Sequence, residues 1–403
     1  MYWPAFEPLT LKPTIVSDAP ASDRPSTHAS ATARQNQEQT HVITSGRPRI
    51  IYFAIPSLDY PRNSRIRAYL AETGADVVIP DLGIDHQGWK GTIRRFFSLV
   101  KESRGASVIV LAEFGTKYAL PAKILARFRG ARLIVDGFVG MYETHIGDWA
   151  DHSPSSLKAR LYRLIDWVAF RASDLYLIDT EVRAEAIRSH YSLSRLVMSL
   201  PVGAPSWAVP APLRDPAAGK LRLLYYGNYI PLHGTDTIIE ALTDPRVREA
   251  VSVTFIGDGK LRARAEQLVV ERGLSGIVTF VDAVPSFELA NAIARHHVVL
   301  GVFGTSDKAG SVIANKVWQG LASGRMVITQ QSKALLEIAQ YCGPQLRTTA
   351  PGNPVALADE LADLVGQLDP GTDWVFSGAA QALETYVEEK YSSLRLQLAT
   401  WQT

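Results

Sequence analysis

From residue 49 onward the chain alternates two kinds of segment. RIIYFAI (49–55), ADVVIP (75–80), SVIVLAEF (107–114), ARLIVD (131–136) and DLYLIDT (174–180) are nearly continuous apolar runs. Runs of this length without polar alternation predict parallel strands covered on both faces. Between them, Ser64–Thr73 (followed by Gly74), Pro121–Phe128 and Ser156–Ala172 predict helices. Strand and helix follow one another as in a doubly wound α/β domain. The rhythm breaks at PVGAPSWAVPAPLRDPAAGK (201–220), where prolines and small residues mark a linker. It restarts with LRLLYYG (221–227), VSVTFIGDG (251–259), IVTFVDA (277–283), HHVVLGVF (296–303) and RMVITQ (325–330), with helices between. Ser377–Thr400 predicts a last helix.

The divisions expected are a tail over 1–48, a first Rossmann-like domain over 49–205, a linker over 206–220, a second such domain over 221–376, and a helix over 377–403 packing back on the first domain. The tail, which contains SDAPASDRPSTHASATARQNQEQTH, is too poor in large apolar residues to offset chain entropy and is expected to be disordered. An apolar patch at Tyr2, Trp3, Phe6, Leu9 and Leu11 is its one feature suited to docking.

Composition adds limits. A net charge of +2 over 403 residues points to no nucleic-acid partner. The single cysteine, Cys342, rules out an intrachain disulfide framework or a Cys-rich zinc site. No apolar run is long enough to span a membrane, and MYWPAFEPLTLKPTIV does not read as a secretory signal. A cytoplasmic enzyme, soluble or peripheral on the inner membrane face, is expected.

In open α/β sheets ligands bind beyond the carboxyl ends of the strands, so the loops there carry the candidate chemistry. GNYIPLHGTDTIIEAL offers Gly227, Asn228, His233 and Gly234 before a helix; these suit phosphate oxygens, or form an ordinary turn with a surface histidine. FIGDGKL (255–261) is either a nucleotide-facing turn or a plain connection. GVFGTSDKAGSVIANKVWQG (301–320) holds Lys308, then Asn315 as the expected N-cap, then Lys316. A cation at a helix N-terminus is locally unfavourable, because that end is already positive. Either an anion such as a diphosphate sits beside Lys316, or the lysine simply reaches solvent.

These motifs, in this order and joined by VTFVDAVPSFELANAIARHHVVLGVFG and VIANKVWQGLASGRMVIT, resemble the nucleotide-sugar domain of family 4 glycosyltransferases over about Leu221–Glu337. The resemblance implies the GT-B fold and transfer from a nucleoside-diphosphate sugar with retention at the anomeric carbon. It also implies no bound metal, no cofactor beyond that co-substrate, and a leaving phosphate able to take the acceptor proton. The family's phosphate-binding Arg and Lys fall on Asn228 and His233. Its paired glutamates fall on Ser311 and Gln319, an atypical replacement. Gln319 retains an acceptor oxygen for ribose hydroxyls, whereas Ser311 does not replace a carboxylate.

The first domain would take the acceptor, a glycan, a lipid-linked sugar or a secondary metabolite. Asp136 ends a strand and is expected to point into the cleft as a catalytic residue with Lys308, or else to cap its turn. Tyr142, Thr144 and Asp179 are acceptor-side candidates; Asp179 and Thr180 alternatively cap the next helix. ETHIGDWADH (143–152) lacks metal-ligand spacing, His296 and His297 read as structural, and no G-x-S-x-G elbow is present. Lys90, Arg94, Arg95, Lys101 and Arg104, then Lys117, Lys123, Arg127, Arg129 and Arg132, form a basic zone around an amphipathic helix with Ile93, Phe96, Phe97 and Val100 on one side. That helix is a core helix with a solvated face, or a docking surface for anionic lipid. A chain that binds nucleotide sugars without turnover, and a GT-B nucleotide-sugar epimerase, are the alternatives to a transferase.

Overall fold

A computed structural model describes residues 47–401, apart from 56–57, 59, 81–87, 149–150, 192–195, 215–218 and 370–373, and apart from the side chains of 88–90. The tail expected over 1–48 lies, up to Gly46, outside the described residues, as does its apolar patch.

The first lobe is built on β1 (Arg49–Phe53), β2 (Asp76–Val78), β3 (Ala106–Leu111), β4 (Arg132–Asp136), β5 (Leu175–Ile178) and β6 (Leu196–Ser199), with helices α1 (Pro61–Glu72), α2 (Gly88–Glu102), α3 (Ala119–Arg129), α4 (Leu157–Ala172) and α5 (Glu181–Tyr191). The strands are parallel in the order β2-β1-β3-β4-β5-β6. The second lobe is built on β7 (Leu221–Tyr226), β8 (Val251–Ile256), β9 (Val278–Val281), β10 (Val298–Leu300), β11 (Met326–Gln330) and β12 (Leu346–Thr349), in the order β12-β11-β10-β7-β8-β9, again parallel. Its helices are α6 (Thr235–Ala241), α7 (Pro245–Arg248), α8 (Arg262–Glu271), α9 (Ser286–Ala294), α10 (Asn315–Ala322), α11 (Leu336–Cys342) and α12 (Pro354–Gly366), and the chain ends in α13 (Gly378–Thr400).

Both faces of the sheets are covered, which explains the unbroken apolar strands. In β1, Ile50 and Tyr52 join Ile66, Tyr69 and Leu70 of α1, while Ile51 and Phe53 join Leu99 of α2, Ala122 and Leu125 of α3 and Phe170 of α4. Right-handed crossovers account for that split, since the chain moves one way along the sheet after β1 and the other way after β2. Ser156 starts α4 by accepting a hydrogen bond from the Ala159 amide at 3.1 Å.

Chain passes between the lobes at two places. Residues 201–214 lead into β7, and the segment at Phe376 leads into α13. One turn of the second lobe touches both. The Phe376 amide donates to the Gly324 carbonyl at 3.1 Å, and Arg325, fully buried, donates to the carbonyls of Ala211 and Pro212. A Cβ on Gly324 would lie 2.7 Å from the Phe376 oxygen and 3.2 Å from Pro210. α13 then lies against both lobes. Arg65 of α1 pairs with Glu384 at 2.7 Å, Tyr391 meets the Tyr69 ring edge-on, and the Tyr386 hydroxyl donates to Glu337 of α11.

Candidate active site

The loops after β7 and β10 and the start of α10 converge on one cluster. α10 is buried along its length from Lys316 to Ala322 because Val317, Trp318 and Leu321 enter the core and Gly320 presses its backbone on Val299 and Val327. Lys316 is therefore carried inside. It is 4% exposed, its ammonium has no hydrogen-bond partner among the described residues, and it sits 4.1 Å above the Tyr225 ring centroid. The solvent-reaching alternative does not hold. Burial pushes its pKa well below the ordinary lysine range. Gly227, at φ +134°, leaves the room: a Cβ there would stand 3.1 Å from His233 Cε1 and 3.4 Å from Lys316 Nζ.

Several of the expected site residues are engaged otherwise in the structure. Asn315 does not cap α10. Ala314 occupies the N-cap position, and the Asn315 amide nitrogen donates instead to the Tyr60 hydroxyl of the first lobe at 3.1 Å. Gly234 does not offer a free amide, since its N–H donates to the Pro231 carbonyl and a Cβ would lie 2.4 Å from the Phe303 carbonyl carbon. It joins two loops rather than admitting a ligand. The Asn228 carbonyl accepts from the Tyr225 hydroxyl at 2.9 Å, and that hydroxyl lies 2.8 Å from His233 Nδ1. With the tyrosine proton committed, Nδ1 is the donor and Nε2 of a neutral ring is an acceptor. Burial, then the charges of Lys316 and Lys308, hold His233 well below its usual pKa, so the ring is neutral at pH 7 and does not donate from Nε2. Gln319 is buried, and its amide oxygen already accepts from the Tyr226 hydroxyl at 2.8 Å.

The first lobe meets this cluster directly. Lys308 lies 3.5 Å from Glu143, whose carboxylate also receives Arg183 at 2.5 Å. Thr180 caps α5 by accepting from the Arg183 amide, and its hydroxyl donates to the Ser311 carbonyl at 2.7 Å. Lys260 pairs with Asp151. The loop between β4 and α4 that carries Glu143 is anchored by Asp166, which accepts the Met141 and Tyr142 amides at 2.8 Å. Burial raises the Asp166 carboxyl to about 6.

Asp136 does not point into an open cleft. It is fully buried and held in a two-pronged pair with Arg62 at 2.8 and 2.9 Å, and Arg62 also donates to the carbonyls of Ile178 and Leu200. Asp179 is likewise paired, with Arg183 at 2.5 Å, although its second oxygen is buried without a partner among the described residues. Tyr142 stacks against Arg163 of α4, and Thr144 is buried, its hydroxyl unpartnered among the described residues. His145 pairs with Asp151 at 3.0 Å, and among the described residues no three His, Cys, Asp or Glu side chains are grouped to hold a metal ion. His297 Nδ1 accepts the Arg222 amide and His296 contacts Thr254.

No motif marks Glu113, though it follows β3 as Asp136 ends β4. It is 2% exposed. One oxygen accepts from Asn63 at 2.6 Å, the other has no partner among the described residues, and Tyr52 donates to the same asparagine. Burial, reinforced by Asp136, raises its carboxyl to about 8, so it is largely protonated at neutral pH. Next to it, Ala54 (φ 66°) and Phe114 (φ 64°) hold left-handed backbone that non-glycine residues rarely adopt; such strain gathers at functional sites. A cavity of about 380 Å³ lies elsewhere, among the linker, Trp318 and α13.

The architecture has solved counterparts. The chain superposes on Anabaena HepE in complex with UDP and glucose with a TM-score of 0.63 at 13% identity, covering 88% of this chain and 99% of that one. For sucrose-phosphate synthase from Thermosynechococcus elongatus the values are 0.62, 15%, 88% and 98%. For WaaG, a glycosyltransferase involved in lipopolysaccharide biosynthesis, they are 0.59, 16%, 87% and 98%. No curated protein matches the chain in sequence. At these identities the likeness establishes the fold, which is GT-B, and the second lobe, over residues 220–367, matches the family model for glycosyl transferases group 1.

Proposed function

We propose that the chain transfers a sugar from a nucleoside-diphosphate sugar to a hydroxyl acceptor, with the donor on the second lobe and the acceptor on the first. The observation that carries this reading is the buried Lys316 ammonium, unpartnered among the described residues, beside Gly227 and His233 at the carboxyl ends of the β7 and β10 strands. That ammonium calls for an anion, and a diphosphate supplies one. The match of residues 220–367 supports the same donor class, and HepE, whose structure holds UDP, makes UDP the first nucleotide to test.

In the reaction the bond from the anomeric carbon to the diphosphate oxygen breaks, the acceptor oxygen takes its place, and the acceptor proton passes to the leaving phosphate. Retention follows the family resemblance. Lys316 and Lys308 stabilise the charge that develops on the leaving group. Lys308 exchanges Glu143 for phosphate, leaving the Glu143 carboxylate to Arg183 and the acceptor. Because the Gln319 oxygen is engaged by Tyr226, its amide N–H groups are what remains for ribose oxygens.

Release of nucleoside diphosphate from UDP-, GDP- and TDP-sugars, with and without candidate acceptors, tests the proposal. Lys308→Ala should lower transfer by more than about tenfold, the loss of one charge-assisted contact, with the fold intact. Unchanged turnover would sink that role. Binding without release would identify a non-catalytic binder, and an altered sugar without acceptor an epimerase.

A further inference from the structure

The outer face of the first lobe carries apolar side chains left exposed by the described residues. α2, α3 and α4 share one sheet face, since Leu99, Ala122, Leu125, Ala169 and Phe170 all enter the same core. α3 packs beside α4, and Arg129 of α3 donates to the Val100 carbonyl of α2. Their inward sides are thus spent, yet their outward sides are apolar too. Phe97 (66% exposed), Ile124, Phe128 (84%), Leu157 (80%), Leu161 and Trp167 face away from the core. Leu120, Ile124 and Phe128 repeat every four residues, and Leu157, Leu161 and Leu164 recur at i, i+4 and i+7, so each set forms a stripe. A helix apolar on both sides belongs inside a protein or against another apolar phase.

Charge identifies the phase. The three helices hold eleven Lys and Arg against only Glu102 and Asp166, in a chain whose net charge is only +2. Asp166 is turned inward onto backbone amides. Arg94, Arg127, Arg160 and Arg171 stand exposed among the apolar side chains, and Arg171 lies over the Trp167 ring. A second copy meeting this face with its own would set like charges together. Segment 1–46 carries mixed charges and no acidic run to match it.

We propose that this α2–α4 face docks on an anionic lipid bilayer, with the apolar stripes entering the headgroup boundary and the arginines pairing with lipid phosphates. The β4–α4 loop, anchored to α4 by Asp166, then opens beside the membrane, which favours an acceptor carried on a lipid. That extension to the acceptor rests on the proposed transfer reaction; the docking does not, and it is measured without donor or turnover.

The test is co-sedimentation of the full chain with phosphatidylcholine vesicles, with and without phosphatidylglycerol. The chain should pellet with the anionic vesicles, less so as salt is raised. Ile124→Ser with Phe128→Ser, and separately Arg127→Glu with Arg160→Glu, should each weaken partitioning by at least about tenfold without shifting the thermal midpoint. Val270→Ser with Phe287→Ser, two exposed apolar positions on the second lobe, should not. If the α3 pair fails to fold, the arginine pair carries the test. The proposal is overturned if the wild-type chain ignores anionic vesicles. It is equally overturned if Trp3→Ser with Phe6→Ser abolishes binding while the α2–α4 variants retain it, or if sedimentation shows a dimer that the α3 pair dissociates.

Discussion

Lys316→Met separates stability from binding in a way the geometry dictates. Methionine keeps the length and apolar stem of lysine and removes the amine. In the free protein that amine has no hydrogen-bond partner among the described residues, and the favourable contact it does make is with the Tyr225 ring at 4.1 Å. A desolvated cation–π contact returns about 2 kcal/mol, while an uncompensated buried charge costs several. Unliganded Lys316→Met should therefore be more stable by about 1–3 kcal/mol, which is roughly 2–4 °C per kcal/mol for a lobe of this size. The gain depends on pH in a fixed direction. The folded-state pKa of Lys316 lies below its unfolded value, so between the two the unfolded chain binds the extra proton and wild-type stability rises with pH. The advantage of the methionine variant is greatest at low pH and fades toward the ordinary lysine pKa. Nucleotide binding should move the opposite way. A saturating diphosphate at about 100 Kd stabilises by about 2.7 kcal/mol. Losing a charged hydrogen bond worth about 1.5–3 kcal/mol leaves roughly 0.3–1.3 kcal/mol of that stabilisation. Thermal unfolding with and without UDP reads both effects. A destabilised free variant, or an undiminished UDP shift, would refute the reasoning.

Two further outcomes concern the first lobe. Glu113→Gln copies the protonated carboxyl: carrying that group from 4.5 to about 8 corresponds to roughly 5 kcal/mol at ~1.4 kcal/mol per pH unit. The folded state holds the proton that the unfolded state releases, so wild-type stability falls between about pH 4.5 and 8; Glu113→Gln should raise the thermal midpoint at pH 8 and not at pH 4.5, and a pH-independent difference would contradict the assignment. Asp136→Asn should cost about 3–5 kcal/mol in denaturant unfolding, because it leaves the buried Arg62 charge uncompensated; a stable but inactive variant would restore the catalytic role expected for Asp136.

The two-lobed α/β architecture was legible because its central strands are buried on both faces and read as continuous apolar runs. β6 (LVMS) and β12 (LRTT) were not: each is four residues at a sheet edge, and β12 carries Arg347 and two threonines, whereas the other edge strands, β2 and β9, lie within apolar runs that the pattern does mark. The candidate site divides on similar lines. Lys316 was visible from a local rule, a cation placed at a positive helix end. The roles of Asp136, Gly234 and Asn315 turned on partners far along the chain, Arg62, Phe303 and Tyr60, which no local pattern names. Glu113 followed the same end-of-strand rule as Asp136; its significance comes from burial and from the strained neighbours Ala54 and Phe114.

The double passage of chain between the lobes has a mechanical consequence. One covalent tether would let the lobes swivel about any direction. Here two tethers run side by side and are fastened to the same turn at Gly324–Arg325. They act like the two pins of a door, suppressing twist and leaving one opening axis. Any opening about that axis would break Glu143–Lys308, Thr180–Ser311 and Tyr60–Asn315 as a set, so these three contacts between the lobes are coupled through one degree of freedom.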